Sequence, residues 1–489
     1  VSDTDNRQPL PALLAATAVG VYLLVVAGAT AAIADAARTC SSWPLCEGPL
    51  TLSDPALLVA WGHRLTAVAV GVLVLATAAA ALVHRAGTRP RVLAALGVAV
   101  VCFPVQVALG ALVVTGGPTV VSSGAHLAVG MGIFTALSLA LAWDLEPEES
   151  DEGIGFSLGG PDAESDTAPV SGSESDTDAV ADPADPADPT NSGPALADAS
   201  LATRLQTKAF AYFRLMKPRL MWLLCLVAAA AMALAPGTLT VRTVVLTLGG
   251  GVLAIGASGT FNHVLERDKD RRMSRTNDRP TVTHQVPVRN AVVFGFALAA
   301  ASLAVFAAVN LLAAALGLVA ILFYSVIYTL VLKPNTVQNT VIGGAAGALP
   351  ALIGSAAVTG RIELSGVVLA AVIFLWTPAH FYNLALAYKE DYARGGFPMM
   401  PVVRGEAETR KHILYYLAAT LLAAVALSAV TDLGWLYAAT TSVFGAVFLW
   451  AVLRLHRERT KSAAFRAFHA SNAYLGAVLI AIVVDTLAV

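Results

Sequence analysis

Runs of apolar side chains, each near the roughly 20 residues that a helix needs to cross a bilayer, recur along the whole 489-residue chain. Lipid offers backbone amides and carbonyls no partner, so such runs must form helices that satisfy their own hydrogen bonds. Four lie before a long polar segment, at 10–33, 60–83, 92–114 and 126–143. Nine follow it, at 221–234, 241–261, 291–309, 313–331, 338–358, 364–386, 413–430, 433–453 and 465–487. The first run has no basic flank and no clear small-residue cleavage site, so it reads as a span and not as a signal peptide. The expected fold is all-α and integral to the membrane, a four-helix N-terminal bundle followed by a nine-helix bundle. Composition agrees: 57% of residues are hydrophobic and 13% charged, against about 25% charged in soluble domains. A water-soluble enzyme is excluded.

The formal net charge of −2 averages two unlike regions. Between Glu146 and Asp198 stand 15 acidic residues and no Lys or Arg, which leaves 31 basic against 18 acidic residues elsewhere. The acidic run, with its Asp-Pro-Ala repeat, has too little apolar surface to offset the entropy of ordering. Residues 145–203 are therefore read as a disordered linker between a module at 1–144 and a domain at 204–489. Its acidity also suits a cytoplasm of high salt. Short loops rich in Lys and Arg mark the cytoplasmic side. Arg85, Arg89 and Arg91 form one such loop, and the segments about Lys217, 267–279, Lys333, 389–411 and 454–461 form others. This places the N-terminus, the linker and the charged motif loops in the cytoplasm of a multi-pass cell-membrane protein, with the C-terminus outside.

The first charged loop runs from Asn262 to Pro280. If the preceding helix continues through it, Asn262, Glu266 and Asp270 recur every four residues and share one face. Carboxylates clustered there repel one another unless a cation joins them. Mg²⁺ takes carboxylate oxygens together with the phosphate oxygens of a substrate, and Lys269, Arg275 and Arg279 are at hand for the remaining phosphate charge. A solvated basic loop that merely obeys topology fits the charge count but not the spacing. A second loop, His380 to Pro401, again sets acids and bases at the cytoplasmic end of a span, among them Lys389, Glu390, Asp391 and Arg394. Two such loops on one side of a membrane bundle suit a lipid diphosphate, whose headgroup and tail need opposite environments.

Several segments carry a resemblance over residues 204–489. They are Tyr212-Phe-Arg-Leu-Met-Lys217-Pro218-Arg219, Met273-Ser-Arg275-Thr276 with Arg279-Pro280, Asn339-Thr-Val-Ile-Gly343-Gly344-Ala-Ala-Gly347-Ala-Leu-Pro350, and Trp376-Thr-Pro-Ala-His380-Phe through Pro401-Val-Val. In this order they resemble the UbiA superfamily of membrane prenyltransferases, and within it the protohaem IX farnesyltransferase branch, the haem O synthases. Glu266 stands where the family usually has Asp, and Ala387 replaces an acid of the second motif, as suits the haem branch and not the quinone branch. The resemblance implies a UbiA-type bundle that transfers farnesyl from farnesyl diphosphate to a vinyl group of haem B. Water supplies a hydroxyl, and haem O for terminal oxidases and diphosphate are the products.

The same resemblance implies that Asn262, Glu266, Asp268, Asp270 and Asp391 serve metal and diphosphate, with Asn262, Glu266, Asp270 and Asp391 on Mg²⁺. Lys217, Arg219, Arg275, Arg279 and Lys389 are their electrostatic partners. Asp268 alternatively pairs with a neighbouring Arg, and Lys217-Pro218-Arg219 is equally a topogenic anchor. His380 leads His263 and His284 as a candidate for haem contact, against the ordinary reading of a hydrogen-bonded interface histidine. Gly343, Gly344 and Gly347 sit inside an apolar span and read as close helix packing.

In the N-terminal module, His63 and His126 stand at the outer ends of two parallel spans. Intramembrane ionisable groups are functional suspects, and these two either clamp a haem iron axially or pack as polar residues. Cys40-Ser-Ser-Trp43-Pro44-Leu-Cys46, Trp61-Gly62-His63-Arg64, and Gln106 with Gly110 and Thr115 through His126-Leu127 are similar to one half of the haem A synthase family. That likeness implies haem held by His63 and His126, and a haem A synthase or terminal oxidase assembly proteins as partners; nucleic acid is not expected. Ala60 stands where that family often carries Glu, and one half alone is not expected to make haem A unless two chains pair. Cys40 and Cys46 face an oxidising side and either form a disulfide, remain thiols or exchange electrons. Cys102 and Cys225 read as packing residues. Two rivals remain: a related enzyme acting on a quinone or a glycerophosphate lipid, and a non-catalytic haem-binding assembly factor.

Overall fold

Capping residues decide where the spans begin. The Asp54 carboxylate accepts from the amides of Ala56 and Leu57 at 3.0 and 3.1 Å, ahead of Pro55, and Thr119 forms a capping box with Ser122. Both close amide groups that a helix start leaves unpaired. The computed structural model describes residues 10–33, 35–46, 54–146 and 200–488. The acidic segment 147–199 lies outside the described residues.

Among the described residues there are helices and no strands. In chain order they are α1 (Leu10–Ile33), α2 (Ala36–Thr39), α3 (Pro55–Val83), α4 (Pro90–Thr115), α5 (Val120–Leu145), α6 (Leu201–Leu215), α7 (Pro218–Leu234), α8 (Val241–Leu265), α9 (Arg267–Asp270), α10 (Val288–Ala307) and α11 (Leu311–Leu322). A π-helix (Phe323–Leu332) continues α11. It is followed by α12 (Lys333–Asn335), α13 (Asn339–Thr359), α14 (Leu364–Ala387), α15 (Lys389–Arg394), α16 (Met400–Val403), α17 (Gly405–Ala429), α18 (Trp435–Glu458) and α19 (Lys461–Ala488).

Among the described residues twelve helices are long and apolar enough to cross a membrane, and the chain is an all-α multi-pass membrane protein. The expected thirteenth, α7, has 17 residues, at the short end of what spans a bilayer, and forms a pair with α6 bent by 49°. Lys217, held at φ 56 before Pro218, interrupts that run. The caps also start α3 and α5 earlier than the apolar runs suggested, so His63 and His126 lie about two turns inside their helices.

The chain divides into two units, one holding 211–488 with the described residues up to 146, the other holding 148–210; of the latter, 200–210 are described. Within the first unit, α1 packs on α3 and α5, and α5 on α4. The expected two bundles share one core, because α1 and α5 also pack against α17 and α18. Tyr22, Phe134 and Leu137 of the first bundle join Leu417, Tyr437 and Phe448 of the second in a continuous apolar cluster. The Tyr22 hydroxyl donates to the Thr441 carbonyl at 3.2 Å. At the end of α5, buried Glu146 accepts from Arg410 of α17 at 2.5 and 3.1 Å, and Arg459 lies 3.5 Å away.

Removing one partner of a buried ion pair strands the other charge, at a cost of about 3–5 kcal/mol, whereas replacing both with apolar groups is often neutral. Arg410→Leu is therefore expected to lower the thermal midpoint of the purified full-length protein, and Glu146→Leu with Arg410→Leu to recover most of the loss. Additive losses in the double variant would show that the seam does not depend on this pair.

Candidate active site

Helical hydrogen bonding continues past the end of α8. The Glu266 amide donates to the Asn262 carbonyl at 2.9 Å and the Asp270 amide to the Glu266 carbonyl at 2.8 Å. Asn262, Glu266 and Asp270 thus follow one another by single turns, as their four-residue spacing predicts, and all three are buried.

Cations surround them. Lys217 donates to the Asn262 side-chain carbonyl and, at 3.2 Å, to the Tyr324 hydroxyl. Lys333 Nζ sits 2.6 Å from Glu266 Oε1. Arg279 Nη1 is 2.5 Å from Asp270 Oδ2 and 3.7 Å from Glu266 Oε2. Three cations therefore face two carboxylates, and Glu266 Oε2 has no hydrogen bond. Burial alone raises the Glu266 carboxyl, but Lys333, Lys217 and Arg279 together hold it below the usual carboxylate range. Burial lifts the Asp270 carboxyl above its ordinary value, and Arg279 offsets that only in part.

Tyr324, Thr329 and Lys333 are absent from the site expected of the sequence. The π-helix brings them in: a bond to the fifth residue back shifts the register of an apolar span that otherwise reads as ordinary α-helix. Thr329 Oγ1 donates to the Tyr324 carbonyl at 2.8 Å and accepts from Asn262 Nδ2 at 3.1 Å. The one available signal was Lys333-Pro334 at the end of the run.

Asp391, from the second loop, stands apart. It accepts from Ser274 N and Oγ at 2.9 and 2.7 Å, from Arg275 N at 3.2 Å and from Arg394 at 2.5 Å. Burial would raise its carboxyl, yet these bonds hold it low. Its geometry clamps the Ser274-Arg275 backbone, and Arg275 then lies over the rings of Tyr388 and Tyr392. Among the described residues no three His, Cys, Asp or Glu side chains gather into a self-sufficient metal site. Asn262, Glu266 and Asp270, with the open Glu266 oxygen, could offer oxygen donors to an ion that a substrate's phosphates also hold.

Other expected residues are placed elsewhere. Asp268 is exposed and 3.7 Å from Arg267, which matches the neighbouring-Arg alternative. Arg219 is exposed. Lys389 pairs with Glu406 at 3.0 Å. His380 is sandwiched between Trp376 and Phe468, with ring centroids 4.2 and 4.4 Å away, and its Nδ1 is 2.6 Å from Ser471 Oγ. His263 is buried with Nδ1 unpartnered, and His284 is exposed at φ 59.

In the N-terminal bundle the rings of His63 and His126 face each other, centroids 6.4 Å apart at 71°. The Nδ1 atoms of both are buried without a partner. Gly28 and Gly110 leave room for them; a Cβ there would come within 3.2 and 3.0 Å of the respective rings. Cys40 and Cys46 are joined by a disulfide, Cα atoms 5.2 Å apart. Arg64, beside His63, ties that loop by donating to the carbonyls of Cys40, Ser42 and Pro44 at 3.2, 3.0 and 3.1 Å. Cys102 and Cys225 are half-buried free thiols.

Residues 222–475 match the UbiA prenyltransferase family. The chain is 65% identical over 477 residues to a Haloarcula marismortui protein named protoheme IX farnesyltransferase, across 97% of this chain and 98% of that one. It is 64% identical over 477 residues to protoheme IX farnesyltransferase 1 of Natronomonas pharaonis, across 98% of each. A solved structure described as digeranylgeranylglyceryl phosphate synthase in membranes has the same fold, with a TM-score of 0.50 at 15% identity over 58% of this chain and 99% of that one. The chain belongs to the UbiA prenyltransferase family.

Proposed function

We propose that the chain converts haem B, farnesyl diphosphate and water into haem O and diphosphate. The observation that carries this reading is the 65% identity, over nearly the whole of both chains, to a protein named protoheme IX farnesyltransferase. The buried pair Glu266 and Asp270, ringed by Lys217, Arg279 and Lys333, supplies the chemistry such a reaction needs.

Asn262, Glu266 and Asp270 would hold Mg²⁺ against the diphosphate; the ion, when bound, draws charge from the departing oxygens. The remaining work falls to side chains. Lys217, Arg279 and Lys333 take the diphosphate charge as the allylic carbon–oxygen bond breaks, and their fixed positions make this stabilisation available without rearrangement. Tyr324 and Tyr328 present aromatic faces on the same wall, where a ring quadrupole favours the developing allylic cation. The apolar bundle excludes water that would otherwise consume that cation. Asp391 positions Arg275, and Asp268 has no part. The basic loops assign this end to the cytoplasm, with the N-terminus, and the C-terminus to the outside.

The N-terminal bundle is assigned as a haem-binding module. His63 and His126, whose buried Nδ1 atoms have no hydrogen-bond partner, would hold the haem, whose iron takes imidazole nitrogens as ligands. The product's onward partners, on this reading, are a haem A synthase and terminal oxidase assembly proteins.

Extraction and mass analysis of haems after incubation of the purified protein with haem B and farnesyl diphosphate tests the central reaction. Haem O is expected, and is expected to vanish on chelation of divalent cations and in Asp270→Asn; undiminished turnover after complete chelation would refute the metal–diphosphate assignment. Lys333→Met is expected to weaken Mg²⁺–pyrophosphate binding by roughly 10- to 100-fold, the size of a hydrogen bond to a charged group, measured by calorimetry. An optical titration of the full chain with haem is expected to give a six-coordinate bis-histidine spectrum that His63→Ala and His126→Ala each abolish while haem O formation persists. A spectrum unchanged in both variants would remove haem from this module.

A further inference from the structure

A cavity of about 370 Å³ opens beside the second motif, within the range of small-molecule pockets. It shares Ser274 and Asp391 with the site above, but its other walls come from α15, the start of α17, the end of α18 and the start of α19. Five basic side chains line it: Lys389, Arg394, Arg410, Arg459 and Lys461. Three of these are committed to acids, Lys389 to Glu406, Arg394 to Asp391 and Arg410 to Glu146.

The other two are held less firmly, and one further lining acid, Glu390, makes no ion pair with either. Arg459 comes no closer than 3.5 Å to Glu146, which Arg410 already holds. Lys461 faces no carboxylate within ion-pair distance among the described residues; it lies over the Tyr388 ring. Arg459 is also held at φ 51, as Lys217 is at φ 56 in the diphosphate site, a conformation that residues with a Cβ adopt only when their surroundings hold them there. Leu386 and Leu455 supply an apolar wall. The Tyr388 ring joins this cavity to the diphosphate site, since Arg275 lies over the same ring at 5.1 Å.

Arg459, loosely paired, and Lys461, with no ion-pair partner among the described residues, lie beside an apolar wall and match a flat apolar molecule bearing two carboxylates on one edge. We propose that this cavity binds the two propionates of the tetrapyrrole acceptor through Arg459 and Lys461, leaving the vinyl-bearing edge free to meet the prenyl donor. The proposal rests on the haem-farnesylating reading and adds to it the groups that seat the acceptor.

The test uses the full-length protein and metal-free protoporphyrin IX, which no histidine can ligate, titrated by fluorescence alongside its dimethyl ester. Wild-type protein is expected to bind the diacid at least tenfold more tightly than the diester. Lys461→Gln and Arg459→Gly are each expected to weaken the diacid about tenfold, the scale of one charge-assisted hydrogen bond, with the diester and Mg²⁺–pyrophosphate unaffected. Glycine at 459 removes the charge and suits the left-handed backbone, so the fold is retained. Equal losses for both porphyrins, a loss confined to pyrophosphate, or unchanged diacid affinity would each overturn the proposal. Haem O formation by wild type is measured in parallel. Its presence with equal diacid and diester binding defeats this inference alone, while its absence defeats the haem-farnesylating reading and this inference together.

Discussion

Everything about the Glu266 cluster follows from burying ionised groups at the end of an apolar bundle. An isolated carboxylate in such surroundings loses its charge or destabilises the fold. Glu266 and Asp270 avoid both outcomes through Lys333, Arg279 and Lys217. Those cations in turn depend on local departures from regular structure. Lys217 sits in a left-handed conformation between α6 and α7, and Lys333 follows ten residues of π-helix. Lys217, Arg279 and Lys333 thus gather round two buried carboxylates, and on the proposed reading a diphosphate and its divalent ion would join them there.

This dependence explains what was legible in the sequence. The face formed by Asn262, Glu266 and Asp270 was readable because helical periodicity survives the α8–α9 junction. Lys333, Tyr324 and Thr329 were not, since Phe-Tyr-Ser-Val-Ile-Tyr-Thr-Leu-Val-Leu contains nothing that distinguishes a π-helix from an apolar α-helix, and a register shift changes which side chains face α8. The position of Asp391 was readable but its partners were not. Whether a carboxylate binds a metal or clamps a backbone depends on where Ser274 and Arg275 arrive, 117 and 116 residues away in the chain.

The union of the two bundles was equally hidden. A long acidic segment between them suggested separate modules, and the apolar runs could be located without revealing their neighbours. Glu146 and Arg410 are 264 residues apart, and neither stands out in its own surroundings. Their pairing makes the end of α5 part of the wall behind Arg459 and Lys461, so the N-terminal bundle contributes structure to the second cavity.

That arrangement constrains what the N-terminal histidines do. From His126 to Glu146 the chain runs twenty residues through α5 and its cap, and at about 1.5 Å per residue this is about 30 Å, the thickness of a bilayer core. A haem held between His63 and His126 thus lies near the opposite membrane face from Arg459, Lys461 and the Glu266 cluster. One macrocycle cannot occupy both places. The proposed haem site and the proposed acceptor site are therefore separate places, and a macrocycle passing from one to the other would cross most of the bilayer. His63 and His126 therefore stand about a bilayer's breadth from Arg459, Lys461 and the Glu266 cluster, in a bundle that the shared core and the Glu146–Arg410 pair tie to the rest.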